Sequence, residues 1–138
     1  MDAFQLVIIT PYRQYADMQV EVLTLNTHWG QISLYAHHED MIANVEICPA
    51  AIKAGGHVNH FAVGGGVLSV DNKSNKVTLI VSSIESIEEI DLERAVAQKV
   101  AAEKMLGQAK SVQEYNAAEQ EIKKALNRIF VKNEQEDI

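Results

Sequence analysis

Apolar and polar residues alternate along the first part of this chain, and after Glu85 the period changes. Val77, Leu79 and Val81 take turns with Thr78, Ile80 and Ser82, whereas later apolar residues recur three and four apart. The first pattern fits half-buried strands and the second amphipathic helices. Residues 4–10 predict an opening strand that Pro11 stops, because proline has no N–H to give a ladder. Residues 18–25 predict another strand, with Val20 and Val22 against Gln19, Glu21 and Thr24. Thr27-His28-Trp29-Gly30 predicts a turn, then a short strand through Ile32 and Leu34 and an extended run over 44–52. Ala54-Gly55-Gly56 is a hairpin signal, and residues 57–63 lead into Gly64-Gly65-Gly66. Residues 67–70 and 76–81 flank a polar tip, Asp71-Asn72-Lys73-Ser74-Asn75. Short strands at this spacing predict an antiparallel sandwich or barrel.

Ser86-Ile87-Glu88-Glu89 fits a capping box, and Glu88, Glu89 and Asp91 suit a helix N-terminus through its dipole. Leu92, Ala95, Val96, Ala102, Leu106 and Ala109 then form a mainly alanine stripe, with Gly107 as a stop. Ser111-Val112-Gln113-Glu114 is a second capping box. Tyr115, Ala118, Ile122, Ala125, Leu126 and Ile129 follow it at helical spacing. A short polar link between two helices predicts an antiparallel hairpin. The acidic tail over residues 133–138 is expected to fray. The expected division is a β-sandwich over residues 1–85 and a helical hairpin over 86–138. Alanine seams let helices approach closely but remove little apolar area, each residue contributing less than the ~1.5–3 kcal/mol of a buried Leu or Ile. The hairpin is therefore expected to be a movable part.

Size and charge narrow the partners. Of 138 residues, the first ~85 can bury a core unaided, while the last ~50 are marginal alone. The net charge of −7 divides as −3 over residues 1–84 and −4 over 85–138, from four Lys/Arg against seven Asp/Glu and eight against twelve. An acidic surface without a basic stripe argues against nucleic acid and against direct binding to anionic lipid. The single cysteine, Cys48, forms no internal disulfide and suits a reducing compartment. Leu6-Val7-Ile8-Ile9 is too short and lacks the basic leader of a signal peptide. No apolar run approaches the ~20 residues that span a bilayer. The expectation is a soluble cytoplasmic protein without direct membrane insertion.

Catalytic and metal signals are thin. No nucleophile elbow, Walker-type phosphate loop or Cys/His pair stands at a recognisable spacing. His37, His38 and Asp40 form one cluster, His57 and His60 a second, with Cys48 between. On a strand, His57 and His60 would face opposite ways because their spacing is odd. Surface and loop histidines are the ordinary reading, and a small metalloenzyme is the rival. The three glycines lack the strand-to-helix context of a phosphate cradle and suit a bulge or close backbone approach.

Five segments, in order, resemble the epsilon subunit of the F-type ATP synthase, of the bacterial type. Ile9-Thr10-Pro11 is similar to that family's opening strand and stop, and Phe61-Ala62-Val63-Gly64-Gly65-Gly66-Val67-Leu68 to its Gly-Gly segment. Asn75-Lys76-Val77-Thr78-Leu79 resembles its Asn-x-Val-Thr strand, and Glu88-Glu89-Ile90-Asp91-Leu92-Glu93-Arg94-Ala95 its Ile-Asp-x-x-Arg-Ala helix start. Ala125-Leu126-Asn127-Arg128-Ile129 matches a segment near its C-terminus. The resemblance implies an antiparallel sandwich of about ten strands followed by two helices. It implies a non-catalytic rotor subunit that packs against gamma and the c-ring and needs no cofactor. The hairpin either lies on the sandwich or extends into the alpha/beta head and blocks ATP hydrolysis.

In some members the folded-down hairpin binds ATP as a regulatory ligand. By position the resemblance assigns that site to Glu85, Ile90, Asp91, Arg94, Ala95, Lys124 and Arg128. Arg94 and Arg128 would meet a polyphosphate, and Asp91 or Glu85 would accept from the adenine amino group. A plainer reading has Asp91 cap the helix and pair with Arg94 one turn on. The chain departs from the family at Lys124, where binders tend to have Arg, and at Ala101, sometimes basic. It departs again over residues 29–40, at the ring-facing end of the sandwich. Ser33 replaces the inner glycine and Ala36 the proline, while Gly30 and His38 keep their places. Those departures motivate a second reading, a nucleotide-responsive binding module outside the synthase.

Overall fold

The computed structural model describes residues 2–136, with side chains to residue 133. Eight strands precede two helices. They are β1 (Phe4–Ile9), β2 (Gln14–Val20), β3 (Val22–Thr27), β4 (Gly30–Leu34), β5 (Met41–Ala54), β6 (His57–Asp71), β7 (Lys76–Val81) and β8 (Ile84–Ser86). The helices are α1 (Leu92–Gly107) and α2 (Val112–Glu136). Hydrogen bonding runs in the order β2-β1-β7-β6-β5-β3-β4, with β8 added to β6. Phe4, Leu6 and Ile8 of β1, Leu23 and Leu25 of β3, and Val77, Leu79 and Val81 of β7 point into one core, as their alternation requires.

Three expectations are corrected. The sheet is mixed, because β1 and β7 pair in parallel, Leu6 beside Val77 and Ile8 beside Leu79. These strands are distant in sequence, so no hairpin fixes their relative direction. The described strands number eight and not ten; β6 runs unbroken through Gly64-Gly65-Gly66, where two strands were expected. Residues 18–25, expected as one strand, divide at Glu21 between β2 and β3.

The glycine run explains the long strands. Burial along β5 falls on Ala43 and Val45, then shifts phase to Cys48, Ala50 and Ile52. Opposite the shift lie Gly64, paired with Ile47, and Gly65, with φ +96°. The β5–β6 ribbon turns here, so each strand serves both layers of the sandwich. On its other edge β6 changes partner from β7 to β8 at the same point. Gly64 N–H donates to the Ser83 carbonyl (2.8 Å) and Ser82 N–H to the Gly65 carbonyl (2.9 Å). A Cβ on Gly66 would stand 1.9 Å from the Ile80 carbonyl oxygen. Close backbone approach is the use of this run.

The first capping box forms but does not start the helix. Glu89 N–H donates to Ser86 Oγ (3.3 Å) and Ser86 N–H to Glu89 Oε1 (2.9 Å). These bonds close a turn after β8, and α1 begins at Leu92 with Asp91 as its cap, Oδ1 accepting from Arg94 N–H at 3.1 Å. At α2, Ser111 Oγ accepts from Glu114 N–H (3.1 Å), while the Glu114 carboxylate reaches past Ser111 to Lys110 N–H (2.8 Å). α2 continues through Asn133 to Glu136, and residues 137 and 138 of the acidic tail lie outside the described residues.

Ala95 and Ala102 of α1 meet Ala118 and Ala125 of α2 in a buried seam. The wider stripe expected there is only partly seam, because Val96, Tyr115 and Leu126 are exposed and Val112 is 75% exposed. Four alanines fill the narrow gap and leave the larger residues on the flank. α2 rests on β5 and β6. Val131 packs with Ala62 and Ile90, beside Ile87. Asn127 Nδ2 donates to the carbonyls of Cys48 (2.8 Å) and Val63 (3.3 Å), which face each other across the two strands. Lys132 Nζ donates to the Ile87 carbonyl (2.9 Å). Polar bonds and the small apolar cluster around Val131 hold the hairpin down.

Candidate functional site

Where β8, the following turn and both helices converge, a cleft of about 190 Å³ is lined by Glu85, Glu89, Asp91, Arg94, Gln98 and Arg128. Glu85 projects from β8, the strand that β6 holds beside Ala62. The turn presents Glu89, the cap presents Asp91, and the first turns of α1 carry Arg94 and Gln98 on one face at i,i+4 spacing. Arg128 enters from α2. Its Nε–H donates to Glu85 Oε1, and its Nη1 to Gln98 Oε1 at 3.4 Å. One guanidinium thus touches groups from the sandwich and from the other helix.

The site's acidic wall is braced from β2. The Tyr15 hydroxyl donates to Glu89 Oε1, the oxygen that also accepts from Ser86 N–H. The Tyr15 ring stands edge-on to Phe61 at 6.4 Å and lies under the Arg13 guanidinium at 5.3 Å. Burial, the Glu89 hydrogen bond and the Glu89 charge push the Tyr15 hydroxyl up to about 12. For Glu89, burial works upward. The Tyr15 and Ser86 hydrogen bonds and the Arg13 charge outweigh it, holding the carboxyl below the usual range.

The residues assigned by resemblance divide by place. Glu85, Asp91, Arg94 and Arg128 share the cleft. Ile90 and Ala95 are buried beneath it, Ile90 against Val131 and Ala95 in the seam. Lys124 is not among the lining residues and pairs with Glu121 at 3.8 Å. Ala101 is exposed on α1. Asp91 spends a carboxylate oxygen on its cap, and among the described residues no carboxylate pairs with the Arg94 guanidinium. Sequence reasoning missed Gln98, Tyr15, and Glu89 as part of the wall. Gln98 was reachable, one turn beyond Arg94. Tyr15, 74 residues from Glu89, was not.

The histidines do not converge. His38 Nδ1 lies 2.8 Å from the Glu39 carbonyl, and His57 and His60 stand three apart on β6. Among the described residues no group of three His, Cys, Asp or Glu could hold a metal ion. In the altered loop, the Ser33 hydroxyl bonds that of Thr24 (2.8 Å) and Ala36 packs on the core. Also among the described residues, no helix is long and apolar enough to cross a membrane.

Comparison with known proteins agrees with this architecture. The family model for the ATP synthase delta/epsilon chain β-sandwich domain matches residues 3–87, and that for its long α-helix domain matches 88–133. An ATP synthase epsilon chain of Caldicellulosiruptor bescii is 34% identical over 99% of this chain and 98% of its own. One from Caldanaerobacter subterraneus subsp. tengcongensis is 35% identical over 98% and 97%. Among solved structures, a chain of the Euglena gracilis mitochondrial ATP synthase superposes with a TM-score of 0.74 at 18% identity, covering 99% of this chain and 82% of that one. A chain from the Tetrahymena thermophila mitochondrial ATP synthase central stalk and c-ring does so at 0.66 and 14%, covering 96% and 98%. Both show the fold. A sandwich with a two-helix appendage of this kind defines the delta/epsilon chains of ATP synthases. This chain belongs to that family, as a non-catalytic epsilon chain.

Proposed function

We propose that the chain works in the central rotor stalk of a proton-translocating F-type ATP synthase. There the sandwich links gamma to the c-ring at the inner, cytoplasmic face of the cell membrane. The helical hairpin restrains ATP hydrolysis by leaving the sandwich and entering the alpha/beta head. ATP bound in the cleft between β8, α1 and α2 opposes that departure. A ligand that touches all three elements stabilises only the conformation that assembles them, by its differential affinity for that form.

The observation that carries this reading is the shared cleft. Arg94 and Arg128 reach it from different helices, and Glu85 reaches it from the sandwich. Two guanidiniums suit the phosphate chain. The polar latch around Asn127 suits a body that detaches. Lys124 lies outside the cleft, so the phosphate grip proposed here uses Arg94 and Arg128. The rival, a module outside the synthase, rests on residues 33–36, whose changes find local partners in Thr24 and the core.

Reconstitution tests the inhibitory half. Synthase assembled with a chain lacking residues 91–138 should hydrolyse ATP faster than synthase with the full chain, most clearly at low ATP. Equal rates at every nucleotide concentration would remove it. Co-purification decides the rival, since a module outside the synthase would not bring down gamma.

A further inference from the structure

Arg128 is held at two of its three guanidinium nitrogens. An arginine side chain carries five N–H donors. Here the Nε–H is held by the Glu85 carboxylate and one Nη1 hydrogen is directed at Gln98 Oε1, 3.4 Å away. The remaining hydrogens lie at the Nη end, which makes the two-pronged bond to a phosphate. The Arg128 and Glu85 side chains are 20% and 30% exposed, so solvent screens the pair only in part. Glu85 stands on β8, which the sheet fixes, and Gln98 on α1, which the seam fixes.

We infer that Glu85 and Gln98 are positioning residues, which set the Arg128 guanidinium so that its Nη edge meets phosphate oxygens in the cleft. This rests on the nucleotide reading above and changes the part assigned to Glu85. The carboxylate acts through Arg128 and is not an acceptor for the adenine amino group. A long arginine loses rotamer freedom when it binds an anion, and one already held in place loses less. Held by Nε and by one Nη1 hydrogen, it keeps both Nη2 hydrogens and the second Nη1 hydrogen for an anion, whereas a carboxylate across the Nη edge would compete with the ligand. Glu89, another carboxylate of the cleft, is bound by Tyr15 and Ser86 and leaves Arg128 to Glu85.

The test titrates the full chain, by calorimetry, with ATP and with inorganic tripolyphosphate, which has no base to recognise. Glu85→Ala should weaken both ligands by the same factor, about 10-fold, and Gln98→Ala by about 3-fold. Glu85→Gln keeps an acceptor for Nε and should lose less than Glu85→Ala. Unchanged helicity and melting of the Gln variant separate its effect from misfolding. Arg128→Lys keeps a charge but has no Nε, so adding Glu85→Ala or Gln98→Ala to it should change affinity little further. If Glu85→Ala weakens ATP and leaves tripolyphosphate unchanged, Glu85 is a base contact and the inference is wrong. Full additivity with Arg128→Lys would overturn it as well. Should the unaltered chain bind neither ligand, the nucleotide reading itself falls, a failure distinct from the other two.

Discussion

Arg128 gives its Nε–H to the carboxylate of Glu85, 43 residues earlier in the chain, and so ties α2 to the last strand of the sandwich. The same guanidinium reaches Gln98 on α1. With the nearby Asn127 amide latch, the Lys132 bond to the Ile87 carbonyl and the packing of Val131 on Ala62 and Ile90, this junction holds the hairpin against the sandwich. A small set of polar bonds therefore joins the hairpin to the sandwich.

The amide latch is testable alone. Asn127→Leu leaves the carbonyls of Cys48 and Val63 without their donor. Losing such bonds costs about 1–3 kcal/mol. Amide hydrogen exchange along α2 should accelerate, while exchange in β1 and β7 stays as it was. Equal acceleration in the sandwich would mean that Asn127 supports the whole fold and not the docking.

Two glycines should respond in opposite directions. Gly66→Ala puts a methyl where the Ile80 carbonyl oxygen already stands. Forced overpacking of that kind costs about 1–3 kcal/mol, and the sandwich should melt earlier. At Gly107 an added Cβ meets nothing within 4 Å. Gly107→Ala should raise the helix's stability by about 0.5–1 kcal/mol, read as a higher melting midpoint of helical signal.

His37 and Asn75 both sit at positive φ, 64° and 52°. His37→Gly relieves the left-handed conformation, worth about 1–2 kcal/mol, against glycine's own entropic cost of about 0.5–1 kcal/mol. Stability should rise slightly or hold. Asn75→Gly should lower it, because the side chain accepts from His37 N–H (2.7 Å) and donates to the Ala3 carbonyl (2.9 Å). Urea unfolding of the two variants gives the comparison.

The Tyr15–Glu89 brace sets two pH limits. Glu89 is depressed, so its contribution is present above the ordinary glutamate value and is lost as pH falls through the lower folded value. Tyr15 is raised to about 12 from 10.0, so its contribution is complete below 10.0 and fades as pH climbs towards 12. Unfolding free energy should fall at both extremes. Glu89→Gln should flatten the acid limb and Tyr15→Phe the alkaline limb, and limbs that persist in both variants would assign the effect elsewhere.

Most strands could be read from alternation, and the glycine run serves the close backbone approach it suggested, but the two strands read on either side of it are one. Gly64, Gly65 and Gly66 look like an end to a strand, but they let β6 turn while staying paired on both sides. A local pattern cannot distinguish stopping from bending, because both need residues without a Cβ. The parallel β1–β7 pair was equally out of reach, since no turn connects those strands. At the site, Arg94 and Arg128 were visible through the motifs around them, while Gln98 was missed although it stands one turn beyond Arg94. Tyr15 was hidden, as its hydroxyl acts across the fold on a residue that looks like a simple capping acid.

The proposed restraint of the hairpin rests on ATP binding between the two helices and the edge of the sandwich. Calorimetric titration of the full chain with ATP, beside Arg94→Ala and Arg128→Ala, tests it most directly. The expected result is saturable binding near one ATP per chain, lost or much weakened in both variants. No binding to the unaltered chain, or binding that survives both substitutions, would contradict it.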